Sequence, residues 1–219
     1  MSAIIRHYSP KDRQDVFRIA ADTAYFGDQV EHFMEDRTLF CDAFCTYYTD
    51  FEPQNAWVAE ENGRVVGYLL GCSDTKTQQK VILNKIIPQL ILDIFRRKYV
   101  IGRLTLHYGY GLILSALYGQ NVHADLQSYP AHFHLNIESG KRGAGIGRRL
   151  LEEFINKMNE DGIHGIHLKT TSENKAACAL YEKLNFKLID AKKTVLWRYW
   201  LKRIIENRCY GLILHQFSQ

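Results

Sequence analysis

What this 219-residue chain lacks narrows its reading before anything it contains. Its five cysteines (Cys41, Cys45, Cys72, Cys178 and Cys209) are odd in number and form no CxxC pair. Neither a disulfide framework nor a zinc ribbon is therefore expected, and free thiols in a reducing cytoplasm are the reading. Cys41 and Cys45 stand one helical turn apart and are expected to pack, not to hold a metal. The opening MSAIIRHYSPKDRQD meets charge early and has no apolar run of the kind a signal peptide needs. A formal charge of +4 is mild, and no DNA- or RNA-binding motif is present, so no nucleic-acid partner is expected. Leu104 to Ala124 carries no formal charge, yet glycines, His107, His123, Gln120 and Asn121 interrupt it. A span needs roughly 20 predominantly apolar residues, so no membrane-crossing segment and no membrane partner are expected.

With 46% hydrophobic and 24% charged residues the chain can bury a real core. Its length fits one domain over 1–219, with 75–124 as a helical insertion within it. The most informative stretch is His132 to Leu151, HFHLNIESGKRGAGIGRRLL. Phe133, Leu135 and Ile137 alternate with His132, His134 and Asn136 as in a strand. Ile146, Leu150, Leu151, Phe154, Ile155 and Met158 then fall at the spacings of one helix face. Between them stand Gly143, Gly145 and Gly147, at every second position. Glycines there let main-chain N–H groups converge at a helix N-terminus, where the helix dipole stabilises an anion by about 0.3–1 kcal/mol. A glycine-rich turn that only lets strand and helix pack closely would look the same.

The order Arg142-Gly143-Ala144-Gly145-Ile146-Gly147 lacks the Lys-Ser/Thr of a P-loop and is not G-x-G-x-x-G. Read as R/Q-x-x-G-x-G/A between strand and helix, it resembles the acetyl-CoA pyrophosphate loop of the GNAT acetyltransferase superfamily. Asn174 to Phe186 matches a second GNAT signature, N-x-x-A-x-x-L-Y-x-x-x-G-F, with Asn185 where glycine is usual. Asparagine is the next best residue for the left-handed position that closes a helix. Trp57 to Gly71, WVAEENGRVVGYLLG, reads as a hairpin turning at Asn62-Gly63 and is similar to the second and third GNAT strands. The run Tyr129 to Ile137, YPAHFHLNI, resembles the acetyltransferase-like domain related to O-GlcNAcases.

The resemblance implies an α/β (α+β) GNAT fold, a mixed and mostly antiparallel sheet splayed at its centre. A helical insertion of about 45 residues stands between its third and fourth strands, where a typical member has almost none. Helix is expected there, kinked at Pro88, serving either as a cover over the acceptor cleft or as the surface of a homodimer. Elsewhere Ser9-Pro10 is expected to start a helix. Phe33, Phe40, Phe44, Tyr47 and Tyr48 should belong to a second, mostly core-packing helical segment. Lys187–Asp190 and Lys193–Leu201 should be the two last strands; the tail beyond carries no readable pattern.

The implied activity is an acetyl-CoA-dependent N-acetyltransferase acting on a primary amine of a small molecule or peptide. The alternative is a catalytically silent acetyltransferase-like module that binds a ligand or partner. By resemblance, N–H groups from Gly143 to Arg148 (Gly143, Ala144, Gly145, Ile146, Gly147, Arg148), with Arg142 opening the motif, would hold the pyrophosphate. Main chain at Ile137, Glu138 and Ser139 would pair with the pantetheine arm, and Ile137 N–H would polarise the thioester carbonyl. Asn174 would reach a pantetheine amide, or merely cap its helix. Tyr181 would protonate the departing thiolate, unless it is only a core tyrosine. For the general base the candidates are His132 and His134, with Glu138 behind them; a neutral amine would need no base. H-x-H on a strand can also bind metal, but no further ligand is evident and no metal is expected.

Overall fold

The computed structural model describes residues 3–214. β1 (Ile4–His7) is followed by a capping box in which Ser9 N–H donates to Asp12 Oδ2 at 2.8 Å, closing the turn Pro10–Asp12 ahead of α1 (Arg13–Asp22). Val16, Ile19 and Ala20 are the buried face of α1. The aromatic stretch after it is only partly helical. α2 covers Arg37–Phe44, capped by Asp36, and a π-turn runs from Tyr47 to Phe51. β2 (Ala56–Glu61) and β3 (Arg64–Cys72) meet through Asn62 and Gly63, both at positive φ (53° and 77°), the geometry of a tight two-residue hairpin.

Four helical pieces separate β3 from β4 (Ala131–Ile137): α3 (Thr75–Val81), a π-turn at Ile82–Ile86, α4 (Ile87–Phe95) and α5 (Arg103–Leu117). The break expected at Pro88 begins one turn earlier, where Ile87 N–H reaches back to Ile82 O. A proline ring crowds the carbonyl a turn behind it and donates no hydrogen bond, and the widened turn accommodates both defects.

After β4 come α6 (Ile146–Glu160), β5 (Gly165–Thr171), α7 (Lys175–Lys183), β6 (Lys187–Thr194), α8 (Arg198–Leu201) and β7 (Ile205–Ile213). Of the strand expected over Lys193–Leu201, only Lys193 and Thr194 are strand, as the end of β6, and Val195–Leu201 is not. Beyond Thr194 the chain turns so that Trp197 can pack on Phe33 and Phe26, with ring centroids 5.3 and 4.9 Å away, and tertiary contact overrides local strand propensity. The last strand, β7, lies in the tail.

The seven strands form one sheet in the order β1-β2-β3-β4-β5-β7-β6. All neighbours are antiparallel except β4 and β5, which are parallel and paired only at Ala131–Ile166 and His132–His167. Beyond those pairs the sheet splits. On one face α6 and α7 bury Leu150, Leu151, Phe154, Met158, Cys178 and Tyr181 against Phe133, Ile166 and Tyr210. Each fully buried large apolar side chain there contributes about 1.5–3 kcal/mol. On the other face α1, Tyr48 and the start of the insertion cover Val58, Tyr68 and Leu70.

The end of α7 decides where Tyr181 sits. Asn185 is left-handed (φ 65°), its N–H donates to Glu182 O at 3.1 Å, and Phe186 N–H donates to Tyr181 O at 3.0 Å. This is a Schellman closure, with its apolar contact between Phe186 and Tyr181, whose ring centroids are 5.9 Å apart. Asn185→Gly should therefore leave stability unchanged or raised, while Asn185→Val should cost about 1–2 kcal/mol in urea denaturation. Equal midpoints for the two variants would refute this account of the helix end.

Candidate active site

The split between β4 and β5 is where the candidate residues meet. Glu138 N–H donates to Val66 O at 3.0 Å. In an antiparallel ladder bonded residues alternate, so Asn136, His134 and His132 bond to β3. The main-chain groups of Phe133, Leu135 and Ile137 then point the other way; Phe133 flanks the His132–His167 pair with β5, and beyond it Leu135 and Ile137 face the gap. β5 does not meet this part of β4, so the gap is lined by an unpaired strand edge.

The glycine loop closes one end of that gap. Gly143 (φ 83°) and Gly145 (φ 77°) are left-handed, and Gly145 is the N-cap of α6. The first helical bond is Arg149 N–H to Gly145 O at 3.2 Å, which leaves the N–H groups of Ile146, Gly147 and Arg148 for an external acceptor. A Cβ on Gly147 would lie 3.1 Å from Ile137 Cδ1 and 3.4 Å from Leu180 Cδ2. The absence of a side chain lets the mouth of α6 close onto both β4 and α7.

The side chains of the loop do other work. Arg142 Nε donates to Ile137 O and its Nη2 to Gly27 O, each at 3.2 Å, so this arginine ties the loop between α1 and α2 to the end of β4. Arg148 pairs with Glu152 one turn on, at 2.7 Å and largely exposed, and Arg149 reaches Ala3 O. The main chain of Ser139 opens the short turn Ser139–Lys141, which precedes the exposed loop carrying Ala144. Glu138 is not placed to act as a base, because Arg18 and Arg64 both hold its Oε1.

Tyr181 lies under the gap on the α7 side, its ring 5.9 Å from that of Phe133 on β4. Burial raises its phenol well above the ordinary value, and the hydroxyl has no hydrogen-bond partner among the described residues. Asn174 stands at the N-cap position of α7 but makes no side-chain cap. Ser172, just ahead of it, joins β7, its Oγ accepting from Glu206 N–H at 3.2 Å.

The two histidines of β4 share a face but differ in state. His132 is buried with both ring nitrogens engaged: Nε2 with Tyr48 Oη at 2.8 Å and Nδ1 with Thr75 Oγ1 at 2.7 Å. Thr75 Oγ1 donates to Pro130 O at 2.7 Å, so His132 Nδ1–H donates to Thr75 and Nε2 accepts from Tyr48. Its lone pair is taken, and this corrects its candidacy as general base. His134 is half-buried, 4.3 Å from the Phe44 ring, with no hydrogen bond from its imidazole among the described residues. Burial, then the neighbouring His167, lowers it to about 4.

Sequence reasoning missed one feature. From His134 a row of rings runs through Phe44, Phe40, Phe33 and Trp197 to Phe26, with successive centroids between 4.3 and 6.1 Å. It joins β4 to the loop after α1 and to the turn after β6. The period of Phe33, Phe40 and Phe44 signalled core, but nothing in the sequence tied it to Trp197. Among the described residues no group of His, Cys, Asp and Glu is arranged to hold a metal ion.

Residues 90–186 match the profile of the Acetyltransferase (GNAT) family. The chain is 40% identical over 80 residues to N-alpha-acetyltransferase 30 of Saccharomyces cerevisiae, a match that covers 36% of this chain and 42% of that protein. It therefore spans less than half the length of that curated relative. The crystal structure of SsHAT superposes with a TM-score of 0.69 at 24% identity, covering 97% of this chain and 98% of the other. A Salmonella typhimurium putative acetyltransferase, yncA, solved with acetyl-CoA, superposes with a TM-score of 0.60 at 14% identity, covering 100% and 98%. These likenesses are to N-acetyltransferase sequences and to acetyltransferase folds; none of them bears on the O-GlcNAcase-related resemblance.

Burial lowers His132, His134 and His167 alike. An unfolded chain binds protons at these sites below about pH 6.5, whereas in the folded protein each binds its proton only at a lower pH. Stability should then fall as pH drops from 6.5 toward 4. Thermal melts should show a declining Tm over that window and a shallower decline in His167→Gln; identical slopes would contradict the assignment.

Proposed function

We propose that this chain acts as a GNAT-type acetyltransferase, moving an acetyl group from acetyl-CoA to the primary amine of a peptide or small molecule, the α-amine of a peptide being preferred. The observation that carries the reading is the coincidence, at one split, of an unpaired strand edge, a helix mouth with free N–H groups and a buried phenol. Acetyl-CoA supplies the acyl group already activated as a thioester. Main-chain N–H groups of Ile146, Gly147 and Arg148 suit its diphosphate, and the free edge at Leu135 and Ile137 suits the amides of its arm. Ile137 N–H is the donor for a carbonyl that gains negative charge. The amine nitrogen forms the new C–N bond as the C–S bond breaks; Tyr181 Oη–H gives its proton to the leaving sulfur, and the proton that nitrogen sheds on becoming an amide returns to the Tyr181 oxygen. Tyr181→Phe should lower kcat by about 10²–10⁴-fold with the acetyl-CoA KM unchanged; an unchanged kcat would remove Tyr181 from the mechanism and favour a silent module.

The base question points to the acceptor class. His132 is engaged, Glu138 is paired, and His134 near 4 is too weak to strip an ammonium. The amine must then enter neutral. At pH 7.4 about a third of a peptide α-amine is neutral but only about 0.1% of a lysine side chain. The similarity to an N-alpha-acetyltransferase supports the same choice. A peptide with a free N-terminus should therefore outpace the same peptide N-blocked and carrying one lysine by about 300-fold. Its kcat/KM should rise with pH along the amine's own titration, without an inflection near 6–7. Preference for lysine, or a histidine-like inflection, would contradict this.

A further inference from the structure

The insertion exposes an apolar face that the proposed transfer does not use. On α5, Leu106, Tyr110, Ile113 and Leu117 recur at i, i+4, i+7 and i+11, one helix face, and are 64%, 59%, 60% and 76% exposed. Leu83, Ile91 and Phe95 of the preceding helices are exposed too, Phe95 at 81%. The opposite side of α5 is what anchors it. Tyr108 packs on Phe33 at 4.7 Å, and Glu35 accepts from Leu104 N–H and Thr105 N–H at 2.7 and 3.0 Å. The outward orientation is therefore fixed by the fold.

Charge says what this face would meet. Residues 75–124 hold seven Lys and Arg against one acid, Asp93, a net +6 in a chain whose total is +4. Asp93 is bound to Lys98 at 3.2 Å. Lys76, Lys80, Arg96, Arg97 and Arg103 are exposed and form no ion pair among the described residues. A surface both apolar and cationic matches an anionic lipid bilayer, whose headgroups attract each nearby cation while the acyl boundary takes Leu, Ile, Phe and Tyr. Nucleic acid would leave the apolar residues unmatched. A second copy would bring +6 against +6. Among the described residues no helix is long and apolar enough to cross a membrane, so the contact is peripheral.

We propose that α4, α5 and the basic turn between them dock this protein on an anionic membrane surface. The full chain should sediment with phosphatidylcholine vesicles containing roughly a third phosphatidylglycerol, weakly with phosphatidylcholine alone, and less as salt rises. Arg96→Gln/Arg97→Gln should weaken partition by ~30-fold, about fivefold for each cation and compounding. Ile113→Glu should abolish it. All variants should keep the wild-type thermal shift with acetyl-CoA, which separates failure here from failure of the transferase reading. Equal sedimentation with the two vesicle types would overturn the proposal. So would a dimeric mass by light scattering that Ile113→Glu converts to monomer, which would assign the face to a second copy.

Discussion

Two adjacent strands of this sheet share only two residue pairs, Ala131–Ile166 and His132–His167. Everything of chemical interest follows from their parting after that point. β4 stays bonded to β3 on one side, so the N–H and C=O of Leu135 and the N–H of Ile137 are left facing a gap, Ile137 O being held by Arg142 Nε. An unpaired edge inside a fold is costly unless a ligand or water takes it. α6 points its free N–H groups at the same gap, and Gly147 lets it come within van der Waals distance of Ile137 and Leu180. The split, the helix mouth and the phenol of Tyr181 are therefore one arrangement.

The polar network beneath β4 keeps that arrangement rigid and also limits its chemistry. His132 bridges Tyr48, from the π-turn after α2, to Thr75, the first residue of the insertion. Gln78 donates to the same Tyr48 hydroxyl at 3.3 Å, so each group in the chain Pro130–Thr75–His132–Tyr48–Gln78 has a partner. A satisfied buried network of this sort holds position and gives up no proton readily. The strand is held in place by a histidine that cannot act as a base. Its neighbour His134 makes no imidazole hydrogen bond among the described residues, and burial favours its neutral form.

What was legible in the sequence was local. The glycine spacing, the helix period from Ile146 to Met158, Asn62-Gly63 and the helix end at Asn185 each involve residues within a turn or two of one another, and each is present in the structure. What was not legible depends on distant partners. The residues that bind His132 lie 84 and 57 positions away, and the pair H-x-H looks the same whether engaged or free. β7 has no alternating pattern because Glu206, Asn207 and Arg208 intrude at its start; its place between β5 and β6 comes from pairing on both edges. Val195–Leu201 failed as a strand for the converse reason, since Trp197 finds Phe33 across the fold.

Main-chain amide shifts in the 15N-labelled protein, followed as acetyl-CoA is added, put the account to its hardest trial. The shifts should concentrate at Gly145 to Arg148 and at Leu135 and Ile137, while those of α5 stay still. Saturable binding that moves other amides and leaves these unchanged, or no binding by a folded sample, would contradict it.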